Sequence, residues 1–160
     1  MKKLLSTVAL VIALMALAAC GETKTDTSSG GTTSGGSTTG GTTAGAAALT
    51  FDSGPGAENK FIPETMDATA GEVAVTFNNK GVVPHNWTLV KPGEEDKAAT
   101  ESQTNAPDYK YAGALAQTKT LNNAGASDTV TVKLEPGTYS YICTFPGHYQ
   151  LGMKGTLTVK

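Results

Sequence analysis

Four residues are of types that can bind soft metal ions. Three of them lie in one short segment of the sequence, and the fourth lies far upstream. Cys143, His148 and Met153 follow the pattern C-x4-H-x4-M, and the other histidine, His85, precedes Cys143 by 58 positions. One thiolate, two imidazoles and one thioether form the ligand set of a copper site that changes oxidation state with little rearrangement. Because little rearrangement favours fast electron transfer, these residues predict an electron-transferring site for one copper ion.

Other chemistries use some of the same residue types. A Cys143 thiolate beside a histidine base is typical of thiol hydrolases, but the sequence has no third orienting group in a recognisable motif, so no enzyme activity is predicted. Zinc accepts the same ligands, which leaves open a copper- or zinc-binding protein that stores or delivers metal without redox cycling. Multicopper oxidases and nitrite reductases need further histidine-rich sites, and the two histidines of the chain exclude them.

Strands are expected to position these ligands, because the surrounding hydrophobic pattern has a period of two. Apolar residues alternate with polar or small residues at 73–77, 130–134 and 157–159, as in half-buried strands. Further strands are predicted at 49–51, 65–68, 86–90, 118–121 and 138–143. Turns rich in glycine and proline separate them, which predicts an all-β sandwich or barrel. Residues 94–105 lack alternation and are predicted to form a surface flap with a short helix.

The ligand segments resemble those of a known family. The sequence CTFPGH at 143–148, followed by Met153, and the sequence HNW at 85–87 closely resemble the cupredoxins, or type 1 blue copper proteins, of the azurin and plastocyanin group. The four residues between His148 and Met153 are most similar to the auracyanins, since azurin has one residue fewer there. The resemblance covers 49–160 and implies a Greek-key β-sandwich or barrel.

The resemblance also implies ligands and a function. His85 and His148 are the expected imidazole ligands, Cys143 the thiolate and Met153 the weak axial ligand. The expected function is that of a monomeric one-electron carrier that cycles between Cu(II) and Cu(I). Its partners would be membrane-bound respiratory or photosynthetic complexes that give and take the electron transiently.

The resemblance also implies roles for the residues next to the expected ligands. The backbone N–H of Asn86 would point at the Cys143 sulfur, and its side chain would bond the backbone of Thr144. Phe145 would offer a second N–H to the sulfur, and such hydrogen bonds tune the redox potential. Pro84 stands where azurin has glycine, so a contact between its carbonyl and copper is left open.

Apolar residues that flank the ligands are candidates for a docking patch around the His148 edge. A small transient interface suits a carrier that must exchange partners quickly. The patch residues are Val82, Val83, Pro146, Tyr149 and Leu151.

Residues 1–20 have the features of a lipoprotein signal peptide. Lys2 and Lys3 form a positive start, residues 4–17 are mostly apolar, and LAACG at 17–21 resembles a lipobox. Cys20 is therefore predicted to carry lipid and to anchor the exported protein to the outer face of the cytoplasmic membrane. Acylation of Cys20 disfavours a disulfide with Cys143.

Two composition changes define the rest of the chain. Glycine, serine and threonine make up 21 of the 28 residues at 21–48, which predicts a disordered tether. Residues 49–160 form the predicted domain, with 9 Lys against 12 Asp and Glu. Because this balance provides no basic surface, no nucleic-acid partner is predicted.

Overall fold

The computed structural model describes residues 46–160. Within this range the strands are β1 (Ala47–Ser53), β2 (Thr65–Ala68), β3 (Gly71–Asn79), β4 (Thr88–Val90), β5 (Ala116–Gln117), β6 (Ala126–Leu134), β7 (Gly137–Ile142) and β8 (Lys154–Val159). One helix, α1 (Glu95–Glu101), continues into a 3-10 turn at Ser102–Thr104. The predicted signal peptide, the lipid site at Cys20 and residues 21–45 of the tether predicted at 21–48 lie outside the described residues. The predicted boundary at 49 is wrong by two residues, because Ala47 and Ala48 already pair with β3 as the start of β1. Among residues 46–160, no helix is both long and apolar enough to cross a bilayer.

The strands form two sheets that share one core. The first sheet has the order β1-β3-β6 and the second the order β2-β8-β7-β4-β5. β1 is parallel to β3 and β2 is parallel to β8, whereas the other pairs are antiparallel. Both sheets contribute side chains to one buried cluster. The predicted all-β sandwich is therefore confirmed.

The alternation of β3 explains how the first sheet covers the core. Val73, Val75 and Phe77 are fully buried, as their period of two predicts. Aromatic rings fill the space toward the second sheet, with the Trp87 ring centroid 5.5 Å from that of Phe51 and 5.9 Å from that of Tyr141. Cys143 and Met153 belong to the same buried cluster, so the candidate ligands lie against the core.

The predicted flap with a short helix at 94–105 is also confirmed. Ala98 and Ala99 on α1 are buried against Val90, Tyr111 and Ile142 in a second, smaller cluster. The helix thus covers the outer side of β4 and β7 close to where β7 ends before Cys143.

The strand predicted at 118–121 is wrong, and the reason lies beside His85. β5 contains only Ala116–Gln117, because the pairing with the segment before β4 is interrupted. Thr88 pairs with Gln117, but His85 pairs with Leu121. The two pairings are therefore three residues apart in the segment before β4 and four residues apart in the segment after β5. One extra residue of this kind is a β-bulge, which bends a strand and often occurs next to functional sites. The same bulge delays the start of β4 to Thr88 from the predicted position 86.

Candidate metal centre

The two sheet elements nearest the site position Cys143 and Met153. Cys143 directly follows β7, and Met153 directly precedes β8, its antiparallel neighbour. The Cys143 N–H donates to the Met153 carbonyl over 3.1 Å. Because adjacent antiparallel strands end side by side, the eleven residues between β7 and β8, 143–153, form a loop whose ends are fixed by the sheet.

The loop itself is held by its own backbone. The His148 N–H donates to the Phe145 carbonyl over 3.1 Å, and the Met153 N–H donates to the His148 carbonyl over 2.9 Å. Gly147 adopts a φ of 82°, a left-handed conformation that glycine takes without strain. The backbone of His148 is therefore held in place by the turn that begins at Phe145.

His85 is positioned by the bulged pairing before β4. Its N–H donates to the Leu121 carbonyl over 3.2 Å, and the Leu121 N–H donates to the His85 carbonyl over 2.7 Å. Asn79 is completely buried, and its side-chain amide donates to the carbonyls of Val83 and Leu121 over 2.8 and 2.9 Å. Pro84, half-buried between Val83 and His85, therefore lies in a segment that is anchored on both sides.

Three donor atoms from these separate elements converge. The Nδ1 atoms of His85 and His148 are 3.1 Å apart, and the His148 Nδ1 is 3.5 Å from the Cys143 sulfur. All three residues offer a ligand atom within 4.8 Å of the others. One thiolate and two imidazoles are suitable donors for copper, and their convergence leaves a common position for one ion. Met153 is fully buried at the end of the same loop.

Burial keeps both histidines neutral. Burial, together with the positive charge that His148 carries when protonated, lowers the pKa of His85 to about 4. Burial likewise lowers the pKa of His148. A neutral imidazole keeps a lone pair for a metal ion, so both side chains are ready to act as ligands near neutral pH.

The cysteine differs from the histidines because its ligand form is charged. Burial raises the pKa of the Cys143 thiol to about 12, while the backbone N–H groups of Asn86 and Phe145, which bond the sulfur, act in the opposite direction. A metal ion that binds here must therefore displace the thiol proton. The two N–H groups then remain as hydrogen-bond donors to the thiolate.

Asn86 and Thr144 connect the two ligand-bearing segments. The Thr144 N–H donates to the Asn86 side-chain carbonyl over 2.8 Å, and the Asn86 side-chain amide donates to the Thr144 hydroxyl over 2.9 Å. The Thr144 hydroxyl in turn donates to the Tyr109 carbonyl over 2.7 Å. Asn86, which follows His85, and Thr144, which follows Cys143, are thus bonded to each other. Both are also held by the segment after α1.

Sequence reasoning missed several residues that support this arrangement. Gln117 donates from its amide to the Tyr109 carbonyl over 3.0 Å and accepts from the Tyr111 N–H over 3.0 Å. Asn79 fixes the approach to His85, as described above, and Glu58 faces the same histidine, with its Oε2 3.8 Å from the His85 Nε2. None of the three occurs at a recognisable spacing from a ligand, since turns and the bulge bring them there.

Exposure distinguishes the second histidine from the other candidate ligands. His85, Cys143 and Met153 have no exposed surface, whereas His148 is 6% exposed. The residues proposed as a docking patch differ among themselves: Val82 and Leu151 are 81% and 66% exposed, Pro146 is exposed, and Val83 and Tyr149 are half-buried. Tyr149 also packs against the cluster beneath α1.

Comparison with known proteins identifies the family. Residues 47–160 match the model of the copper binding proteins of the plastocyanin/azurin family. Auracyanin-A of Chloroflexus aurantiacus is 38% identical over 154 residues, which cover 91% of this chain and 89% of that protein. Auracyanin-B of the same organism is 54% identical over 93 residues, which cover 53% of this chain but only 39% of that protein.

Solved structures agree with this assignment. The dithionite-reduced auracyanin of Roseiflexus castenholzii superposes with a TM-score of 0.65 at 32% identity, covering 72% of this chain and 99% of that chain. Auracyanin A, a "blue" copper protein of Chloroflexus aurantiacus, superposes with a TM-score of 0.64 at 34% identity, covering 72% of this chain and all of that chain (100%). The chain therefore belongs to the plastocyanin/azurin family of copper-binding proteins, the cupredoxins, whose members carry electrons with one bound copper ion.

Proposed function

We propose that the protein carries single electrons between membrane-bound redox complexes by means of one type 1 copper ion. The observation that carries the proposal is the convergence of the His85 Nδ1, the His148 Nδ1 and the Cys143 sulfur at one buried position. These three atoms would hold the copper ion as its strong ligands, and the Met153 thioether would be a weaker fourth ligand. When bound, copper supplies the Cu(II)/Cu(I) couple.

The chain contributes a rigid environment for this couple. The Asn86–Thr144 bonds hold the two ligand segments together, so the donor atoms keep their positions when the charge at the site changes. The N–H groups of Asn86 and Phe145 withdraw electron density from the Cys143 thiolate, which tunes the potential. A site that rearranges little exchanges electrons at low cost, and this favours a carrier over a store.

The partly exposed His148 is the proposed route for the electron. The other three ligands are fully buried, which leaves the His148 edge as the shortest path to the surface among them. Val82, Pro146 and Leu151 provide exposed apolar area for a short-lived contact with donor and acceptor complexes, and the half-buried Val83 and Tyr149 contribute less. In this proposal, the protein exchanges electrons as a monomer.

Export and anchoring complete the proposal. Residues 1–20 would direct export, and lipid on Cys20 would hold the protein at the outer face of the cytoplasmic membrane. The predicted tether before β1 would let the domain reach complexes in its surroundings, over roughly 30 Å for a flexible chain of this length. Respiratory and photosynthetic complexes are both suitable partners.

Metal reconstitution of the full chain tests the proposal. One equivalent of Cu(II) is expected to produce an intense blue thiolate-to-copper absorption, and Cys143→Ser should abolish it while the fold is retained. Zn(II) serves as the matched colourless metal that uses the same ligands. A colourless product with bound Cu(II) would contradict the carrier and favour metal storage or delivery.

A further inference from the structure

Two buried polar atoms next to the metal centre face each other without other partners. Among residues 46–160, Glu58 Oε2 and His85 Nε2 are two of the three buried side-chain polar atoms that make no hydrogen bond. They lie 3.8 Å apart. One is a carboxylate oxygen and can accept; the other is an imidazole nitrogen that donates when it carries the proton. A buried donor and a buried acceptor left without partners are each costly, so their juxtaposition calls for a physical reason.

The orientation of the His85 ring supplies part of that reason. Its Nδ1 points to the metal centre, 3.1 Å from the Nδ1 of His148. The Nε2 lies on the other side of the ring and is directed toward Glu58. If the Nδ1 lone pair binds a metal ion, the single imidazole proton must reside on Nε2, which makes this nitrogen a donor aimed at the carboxylate.

Glycines allow the Glu58 carboxylate to reach this position. Glu58 lies in a turn that the Lys60 N–H closes by donating to the Ala57 carbonyl over 3.1 Å. A Cβ on Gly81 would collide with the Glu58 carboxylate, and a Cβ on Gly54 would collide with the backbone of Gly81. The turn after β1 therefore packs against the loop after β3 at a distance that only glycine permits, and this packing brings Glu58 to His85.

The negative charge of Glu58 is not used elsewhere among the described residues. Lys60 pairs with Glu64 over 3.0 Å, and Lys80 pairs with Asp52. The Glu58 side chain is one-third exposed (34%), but its Oε2 is buried, makes no hydrogen bond and lies 3.8 Å from the His85 Nε2. The carboxylate is thus available to the His85 ring rather than to a lysine.

We propose that Glu58 is a positioning residue that acts on the copper through His85. With the ligand role of His85 that the proposed function requires, the Nε2–H donates to Glu58 Oε2 after a closing movement of less than about 1 Å. A carboxylate that accepts a hydrogen bond from a metal-binding histidine fixes the tautomer and the ring orientation of that histidine. It also makes the metal-binding nitrogen a stronger ligand. Its charge favours Cu(II) over Cu(I), so Glu58 lowers the reduction potential.

Reduction potentials of matched variants test this role. Glu58→Gln keeps the shape and an acceptor but removes the charge, and we expect Cu(II) affinity to fall about tenfold relative to Cu(I) affinity. For a one-electron couple a tenfold change corresponds to a rise of ~59 mV in potential. Glu64→Gln removes the same charge from a carboxylate that pairs with Lys60, and it should leave the potential unchanged. Equal potentials in wild type and Glu58→Gln, or equal shifts in both variants, would overturn the proposal.

A second readout follows the proton itself. In the reduced, diamagnetic protein, NMR should detect the His85 Nε2–H as a slowly exchanging, hydrogen-bonded resonance, and Glu58→Ala should shift it and speed its exchange. An unchanged resonance would overturn the proposal even if the variant were less stable. A wild-type protein that lacks the blue absorption would refute the proposed function, whereas a blue wild type that is indifferent to Glu58→Gln would refute only the role of Glu58.

Discussion

Asn86 and Thr144 are hydrogen-bonded to each other although they are 58 positions apart, and each directly follows a candidate ligand. Both residues are fully buried. The pair therefore acts as a clamp between the segment of His85 and the loop of Cys143. Because the clamp belongs to the protein rather than to the metal, its contribution can be measured with and without copper.

Asn86→Ala is expected to destabilise the metal-free protein by about 2 kcal/mol, because it leaves the buried Thr144 N–H without an acceptor. Chemical denaturation monitored by Trp87 fluorescence measures the free energy of unfolding. Asn122→Ala removes an exposed asparagine and should cost far less. Equal losses in the two variants would show that the clamp does not stabilise the fold.

Met153→Leu is expected to retain copper and the blue colour while the reduction potential rises. A hydrocarbon in place of the thioether removes a weak donor and disfavours the more highly charged Cu(II). Voltammetry and the absorption spectrum check both parts. Loss of copper binding in this variant would contradict the axial role assigned to Met153.

The metal-free protein is expected to lose stability as the pH falls from about 6.5 toward 4. The pKa of His85 is lowered to about 4 in the folded state from an ordinary value of 6.5, so the unfolded chain binds a proton in this interval that the folded chain does not. The free energy of unfolding should drop by about 2 kcal/mol between pH 6.5 and pH 5 on this account. His85→Gln should reduce the drop, and an identical drop in that variant would refute this explanation.

Leu151→Asp is expected to slow electron self-exchange between oxidised and reduced copies by about tenfold, without a change of absorption spectrum. Leu151 is 66% exposed, and a charge there would weaken an apolar contact around His148. Thr138→Asp is the matched control. It places the same charge at an exposed position near the start of β7, whereas Cys143 follows the end of that strand. Equal rates in the two variants would remove Leu151 from the proposed docking patch.

Much of the framework could be predicted from short-range patterns. The alternation at Val73, Val75 and Phe77 predicted the buried face of β3, and the lack of alternation at 94–105 predicted the flap with α1. The spacing of Cys143, His148 and Met153 placed them on one loop because a loop that joins two paired strands keeps its residues close. These features depend on neighbours in sequence.

The features that could not be predicted depend on distant packing. The bulge beside His85 ended the strand predicted at 118–121, and it arises from a single extra residue between two pairings. Glu58 reaches His85 only because Gly54 and Gly81 let two loops approach closely. Gln117 bridges to Tyr109 through a segment with no motif. Such contacts have no local signature in the sequence.

A spectroelectrochemical titration of the copper-loaded full chain tests the central claim most directly. The blue absorption should bleach with the uptake of one electron per protein and return completely on reoxidation over repeated cycles. Bound metal that cannot be reduced and reoxidised reversibly, or a transition that takes up more than one electron per protein, would contradict a one-electron carrier built on His85, Cys143 and His148.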